Sequence, residues 1–300
     1  VDEALDVAAR VAARLGAIPG VAAVVLGGSR SRGEGLPDSD IDLGIYYEPE
    51  RPPDLEALRA LARELCGGGA ADSVAPLAKE LHGNVPEDVV TPIGAWGPWI
   101  NGGAWLEVEG RRVDWLYRDL ARVRRVIEAC RAGQVTCDYQ PGHPHGFLNA
   151  IYLAEIHDGR PLFDPDGVLG PLKALATPYP PRLRRALIDR FLWEAGFALD
   201  TAQKAGKRGD VLYVSGCLFR AAACLVQALF ALNERYVSNE KGALRRTRAL
   251  ARCPEGFADR VEAALAAPGQ GAEALLESLE RMEALAREAR DLCRLDAPSC

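Results

Sequence analysis

Asp40 and Asp42 stand two residues apart in Asp40-Ile41-Asp42-Leu43, which begins ten residues after the end of Gly28-Ser29-Arg30. Side chains two apart on a strand point the same way, so the two carboxylates are neighbours while Ile41 and Leu43 face a core. Paired carboxylates repel unless a cation lies between them. A hard ion such as Mg²⁺, which takes carboxylate and phosphate oxygen together, suits that position. Upstream, Gly27-Gly28-Ser29 can turn so that backbone N–H groups converge on an anion, with Ser29 adding a hydroxyl. A Gly-Gly-Ser turn alone is usually a loop, and Asp-x-Asp alone is usually a solvated strand edge. Together, at this spacing on strand–turn–strand, they form a specific signal.

The string Gly28-Ser29-Arg30-Ser31-Arg32-Gly33 followed by Ser39-Asp40-Ile41-Asp42-Leu43 resembles the signature of the DNA polymerase β-type nucleotidyltransferase superfamily. It is most similar to the small-molecule branch, that of the aminoglycoside and kanamycin nucleotidyltransferases with a helical C-terminal domain. The signature covers Val21 to Tyr47; the order of elements extends a weaker match over most of the chain. The resemblance implies transfer of NMP from an NTP, with ATP the first choice, to a hydroxyl of a small molecule, releasing pyrophosphate. An aminoglycoside-like compound is one candidate acceptor. It also implies two Mg²⁺ ions on Asp40 and Asp42, with the Gly28-Ser29 turn on the β- and γ-phosphates. Arg30, Arg220 and Lys241 are expected to neutralise charge on the pyrophosphate. Lys204, Asp210 and Tyr213 resemble further polar positions that relatives turn toward the nucleotide. Two alternatives belong to other classes: a protein-modifying nucleotidyltransferase, and an antitoxin-like binding protein.

A two-metal site usually takes a third carboxylate from a neighbouring strand. Asp114, inside Arg112-Val113-Asp114-Trp115-Leu116, is the candidate metal ligand and general base, a salt bridge to Arg111 or Arg112 being the alternative. Glu107, across the same hairpin, is the second candidate base, against a solvated strand face. Trp96, Trp99, Trp105 and Trp115 crowd a Gly-rich segment, either as an aromatic wall for a ligand or as packing of the hairpin. His143 and His145 are too few for a metal site; they are linker residues or touch a ligand. Asp164-Pro165-Asp166-Gly167 reads as a turn without metal.

The elements that position these residues follow from periodicity. A helix over 2–15 precedes a buried strand over 21–26, and a second strand spans 40–47. A helix at 54–66 ends at Gly67-Gly68-Gly69, with an irregular stretch over 70–100 and short strands near Val89-Val90 and Ala95-Trp96. A hairpin turns about Gly110. Helices are expected at 119–132, 147–157, 182–205, 210–235, 241–251, 256–266 and 271–294. The fold class is α+β: a mixed sheet with flanking helices over 1–135, the catalytic domain, then a helical bundle over 136–300, joined by a linker at 139–146.

Three hundred residues suffice for two domains. The net charge of −6, without a basic stripe in the N-terminal half, argues against a long nucleic acid as partner. It favours an NTP and a small hydroxylated acceptor, a cationic one included. Only five of the 36 basic residues are lysine (Lys79, Lys173, Lys204, Lys207, Lys241), which draws attention to what a compact ammonium does at each. No apolar stretch is read as long enough to cross a bilayer, and no signal-peptide pattern is apparent at the start. The eight cysteines lack metal spacing and are read as reduced, so the expected location is the cytoplasm.

Overall fold

The computed structural model describes residues 3–66, 89–266 and 268–295. The expected glycine stop at 67–69, the irregular stretch over 70–88 and Lys79 lie outside them. The chain divides into two units, one of Val1–Glu128 with Tyr152–Pro178, the other of Ala129–Ile151 with Tyr179–Cys300.

In the first unit the apolar run before Gly27 is a strand, β1 (Ala23–Leu26), buried throughout. It pairs antiparallel with β2 (Ile41–Tyr47), which pairs in parallel with β4 (Arg111–Asp119). β3 (Gly103–Val108) joins β4 through a turn in which Glu109 and Gly110 both take positive φ, 53° and 71°. Two such residues in succession suit the twist of a tight hairpin. β7 (Arg160–Phe163) completes the order β3-β4-β2-β1-β7.

Two helices cover one face of this sheet. α1 (Glu3–Gly16) buries Ala4, Val7, Ala8, Val11, Ala12 and Leu15, the stripe its 3.6-residue period dictates. α3 (Leu55–Leu65), capped by the Asp54 carboxylate, adds Leu58, Leu61 and Ala62. They meet Ile41, Leu43, Ile45, Val113, Trp115 and Tyr117. On the opposite face, α6 (Ile151–Asp158) meets Arg118 of β4. There the buried Arg118 guanidinium grips Glu155 with two bonds of 2.6 and 2.7 Å and donates to the carbonyls of Ile100 and Tyr117. A buried charge needs that completeness of pairing.

This arrangement corrects the single boundary near 135. Arg118–Glu155 and the pairing of β7 with β1 place Tyr152–Pro178 in the first unit. α7 (Leu169–Ala176) belongs there too, its N-terminus held by Asp164, whose carboxylate accepts from the backbone of Val168 and Leu169. Lys173 on α7 donates to the carbonyls of Ile156, His157 and Gly159, capping the end of α6; burial lowers its pKa. The expected strand at Ala95-Trp96 is instead a turn leading into α4 (Gly97–Ile100), and Val90 makes only an isolated bridge to Ala104.

α5 (Leu120–Arg131) follows β4 and crosses the division at Glu128. The second unit then forms a short two-stranded sheet, β5 (Cys137–Asp138) with β6 (Phe147–Leu148), so the expected linker is a loop between paired strands. Its long helices are α8 (Pro181–Gly206), α9 (Val211–Leu232) and α12 (Ala272–Leu295). α10 (Ala243–Arg246) and α11 (Phe257–Ala266) are shorter. The expected apolar stripes on α8 and α9 are buried as read, including Leu183, Leu187 and Phe191 on one and Leu218, Leu225 and Leu229 on the other. Contrary to the sequence reading, α9 is long and apolar enough to cross a membrane; most of it is buried inside the unit. The seven described cysteines form no disulfide.

Candidate functional site

Alternation along β4 sends Val113, Trp115 and Tyr117 into the core and Arg112, Asp114 and Leu116 to the opposite face. The parallel register sets Asp42 beside Asp114, and the antiparallel register sets Trp105 on the other side of Asp114. Register neighbours share a face, so Asp42, Asp114 and Trp105 form one row across three strands. Glu107, exposed on β3, faces Arg112 in the adjoining row.

Asp40 lies one residue before β2. Arg112 Nε stands 2.7 Å from Asp40 Oδ1, an ion pair out of line for a hydrogen bond. Arg112 is 67% exposed, and such a pair contributes about 0–1 kcal/mol, so a ligand cation can displace the guanidinium. Arg111 pairs with Glu3 at 2.8 Å, so each of the two arginines weighed as alternative partners of Asp114 forms an ion pair with another carboxylate.

The turn before the carboxylates is fixed from both sides. Gly27 N–H donates to the Asp42 carbonyl at 2.8 Å. Gly28 opens a one-turn helix, α2 (Gly28–Ser31), at φ +64°, and a Cβ there would lie 1.8 Å from Asp42 Oδ2. Only a residue without a side chain lets this backbone reach the carboxylate. Ser29 follows, half-buried in the same turn.

Arg30 departs from its expected role on the pyrophosphate. It is 9% exposed, and its guanidinium donates to the carbonyls of Ser39 (2.7 Å), Leu36 (3.1 Å) and Asp40 (3.3 Å). It therefore holds the loop that delivers Asp40 and Asp42, which makes it a positioning residue. Nothing in its sequence context reveals those carbonyl acceptors.

Among the described residues, no three His, Cys, Asp or Glu side chains gather into a preformed metal cluster. Two of the three expected acids, Asp42 and Asp114, are brought together, while Asp40 is held by Arg112. Magnesium is usually bound through one or two carboxylates, its other positions filled by water and substrate phosphate. An all-oxygen pair of carboxylates fits such an ion.

The four tryptophans separate. Trp105, 41% exposed on the carboxylate face, stacks on Trp96 with ring centroids 4.5 Å apart. Trp99 packs edge-on against Tyr152 under the Arg122 guanidinium. Trp115 is fully buried in the core. Strand alternation between 113 and 117 carried that distinction.

The remaining expected residues lie in the second unit. Arg220 pairs with Glu194 and donates to the His145 carbonyl, so its anionic partner is a side chain of its own unit. Lys241 and Lys204 are exposed. Asp210 caps α9 by accepting from Tyr213 N–H, and Tyr213 is half-exposed. His143 Nδ1 lies 3.0 Å from Glu240 Oε2. Arg112 is the residue the sequence reading passed over as part of the site; alternation with Asp114 places it there.

Residues 8–75 match the nucleotidyltransferase domain, and residues 148–243 match a domain of unknown function (DUF4037). No curated protein matches the chain. Among solved structures, a nucleotidyltransferase-like protein from Exiguobacterium sibiricum is similar at 10% identity and a TM-score of 0.43, over 92% of this chain and 73% of that one. The matched region contains the Gly28 turn together with Asp40 and Asp42, so the chain carries a nucleotidyltransferase domain.

Proposed function

We propose that the chain transfers NMP from an NTP, ATP first among the candidates, to a hydroxyl of a small molecule in a divalent-metal-dependent reaction. The observation that carries this reading is the register pairing of Asp42 with Asp114, with the Gly28 backbone against the Asp42 carboxylate. Asp42 and Asp114 would hold Mg²⁺, joined by Asp40 once Arg112 is displaced. Bound there, the metal supplies charge neutralisation along the triphosphate and polarisation at the α-phosphate.

The backbone N–H groups of the Gly28-Ser29 turn cradle the β- and γ-phosphates, and the Ser29 hydroxyl adds a donor. Asp114 or Glu107 takes the proton of the acceptor hydroxyl. The freed oxygen attacks the α-phosphorus in line, the bond to the bridging oxygen of the β-phosphate breaks, and pyrophosphate leaves. Trp105 presents an aromatic surface beside the acids, suited to a ring of the acceptor or the base. The negative net charge favours a cationic acceptor, an aminoglycoside-like compound among them.

The test incubates the chain with Mg²⁺, each NTP in turn and a panel of hydroxylated acceptors, reading pyrophosphate release and acceptor mass. Release with one NTP, accompanied by a nucleotidylated acceptor and lost in Asp42→Asn, is the expected result. Release that persists undiminished in Asp42→Asn would overturn the assignment.

A further inference from the structure

His145, in the loop between β5 and β6, has no part in this chemistry. It is 2% exposed, and neither ring nitrogen has a hydrogen-bond partner. The backbone around it is firmly held: its N–H donates to Glu240 Oε1 at 3.2 Å, and its carbonyl accepts from Arg220. The imidazole rests against Phe191 at 5.6 Å. Burial, reinforced by the Arg220 charge, pulls its pKa down to about 4, so the ring is neutral near pH 7. A neutral imidazole carries one donor and one acceptor, and leaving both unmade in an apolar setting is costly.

His145 is also a wall of a half-open cavity of about 130 Å³ within the second unit. The other walls are largely apolar, Phe219, Ala222, Val226, Leu244 and Leu265 among them. A dry apolar cavity of about 150 Å³ accommodates benzene, so this one takes a single six-membered ring. Two charges near the ring decide what that molecule can carry. Glu240 lines the cavity and is kept ionised: its own burial is the largest single influence and works against the charge, but the interactions with His143 and the hydrogen bonds from the backbone of Glu240 and His145 together outweigh it. It repels an anion, while Arg220 disfavours a cation near the imidazole.

We propose that this cavity binds a small uncharged ring compound bearing a hydroxyl, of the phenol class, which hydrogen-bonds to His145. Both ring nitrogens are buried as the side chain stands, so the contact requires the imidazole to reorient toward the cavity. The site lies within the second unit and is independent of the transfer reaction.

Phenol and toluene, equal in heavy-atom count, are the probes, applied to the full chain by thermal shift and ligand-observed NMR. In a purely apolar cavity phenol lags toluene, because its hydroxyl loses water without replacement. Here phenol is expected to bind at least as tightly as toluene. His145→Phe should weaken phenol about tenfold and leave toluene bound, and Ala222→Leu should fill the space and expel both. Toluene binding tenfold tighter than phenol to the native chain, or no binding of either, overturns the proposal. Those native-chain outcomes decide it even where a variant fails to fold.

Discussion

Asp42 on β2 and Asp114 on β4 are register partners on adjacent parallel strands, facing away from the core that Leu43 and Trp115 fill. Two carboxylates so placed on neighbouring strands can share a bound cation. Asp42→Asn and Asp114→Asn should each lower kcat by at least about 100-fold, the loss expected for a metal ligand in phosphoryl transfer. A kcat within about tenfold of native in either variant would dismiss that residue as a ligand.

Gly28 tests the turn apart from the carboxylates. At φ +64°, with Asp42 Oδ2 lying 1.8 Å from where a Cβ would stand, Gly28→Ala must move either the turn or the carboxylate. The strain itself costs about 1–2 kcal/mol. Transfer should fall by more than tenfold while the folded state persists, which circular dichroism together with pyrophosphate release would show. Full activity in Gly28→Ala would mean that the close approach has no part in the reaction.

Arg30 separates positioning from phosphate binding. Its donors are used on the carbonyls of the loop that ends at Asp40, so Arg30→Lys loses the planar fork but keeps the charge. If the role is positioning, kcat should drop with little change in NTP affinity, and Tm should fall as buried carbonyls lose partners, about 1–3 kcal/mol in all. A loss confined to NTP affinity, with Tm unchanged, would restore the phosphate role.

The sequence made the carboxylates and the bundle stripes legible because both depend on short-range periodicity. Asp40-x-Asp42 needs only alternation, and Leu183, Leu187 and Phe191 need only a helical repeat. β7 was missed for the opposite reason. Arg160-Pro161-Leu162-Phe163 has no alternation and contains a proline, and it is a strand only because the β1 edge pairs with it. The same long-range logic hid the division of the chain, since Arg118 and Glu155 are far apart in sequence yet form one buried pair. Arg30 beside a Gly-Ser turn looked like an anion ligand because carbonyl acceptors leave no trace in a sequence.

His145 makes stability depend on pH in a direction fixed by its burial. Its pKa is lowered from 6.5 to about 4 by burial first and by Arg220 next, with Glu194 and Glu240 acting the other way. Between those two values the unfolded chain binds a proton that the folded chain refuses, so stability falls as pH is lowered through this window. Above about pH 6.5 the contribution is fully present, and below about pH 4 it has gone. The full span corresponds to about 3 kcal/mol. Urea unfolding at pH 7 and pH 5 should show a larger loss for the native chain than for His145→Phe, which has no proton to bind. Equal losses in the two chains would mean that the buried imidazole titrates at its ordinary value, and that burial has not set its charge.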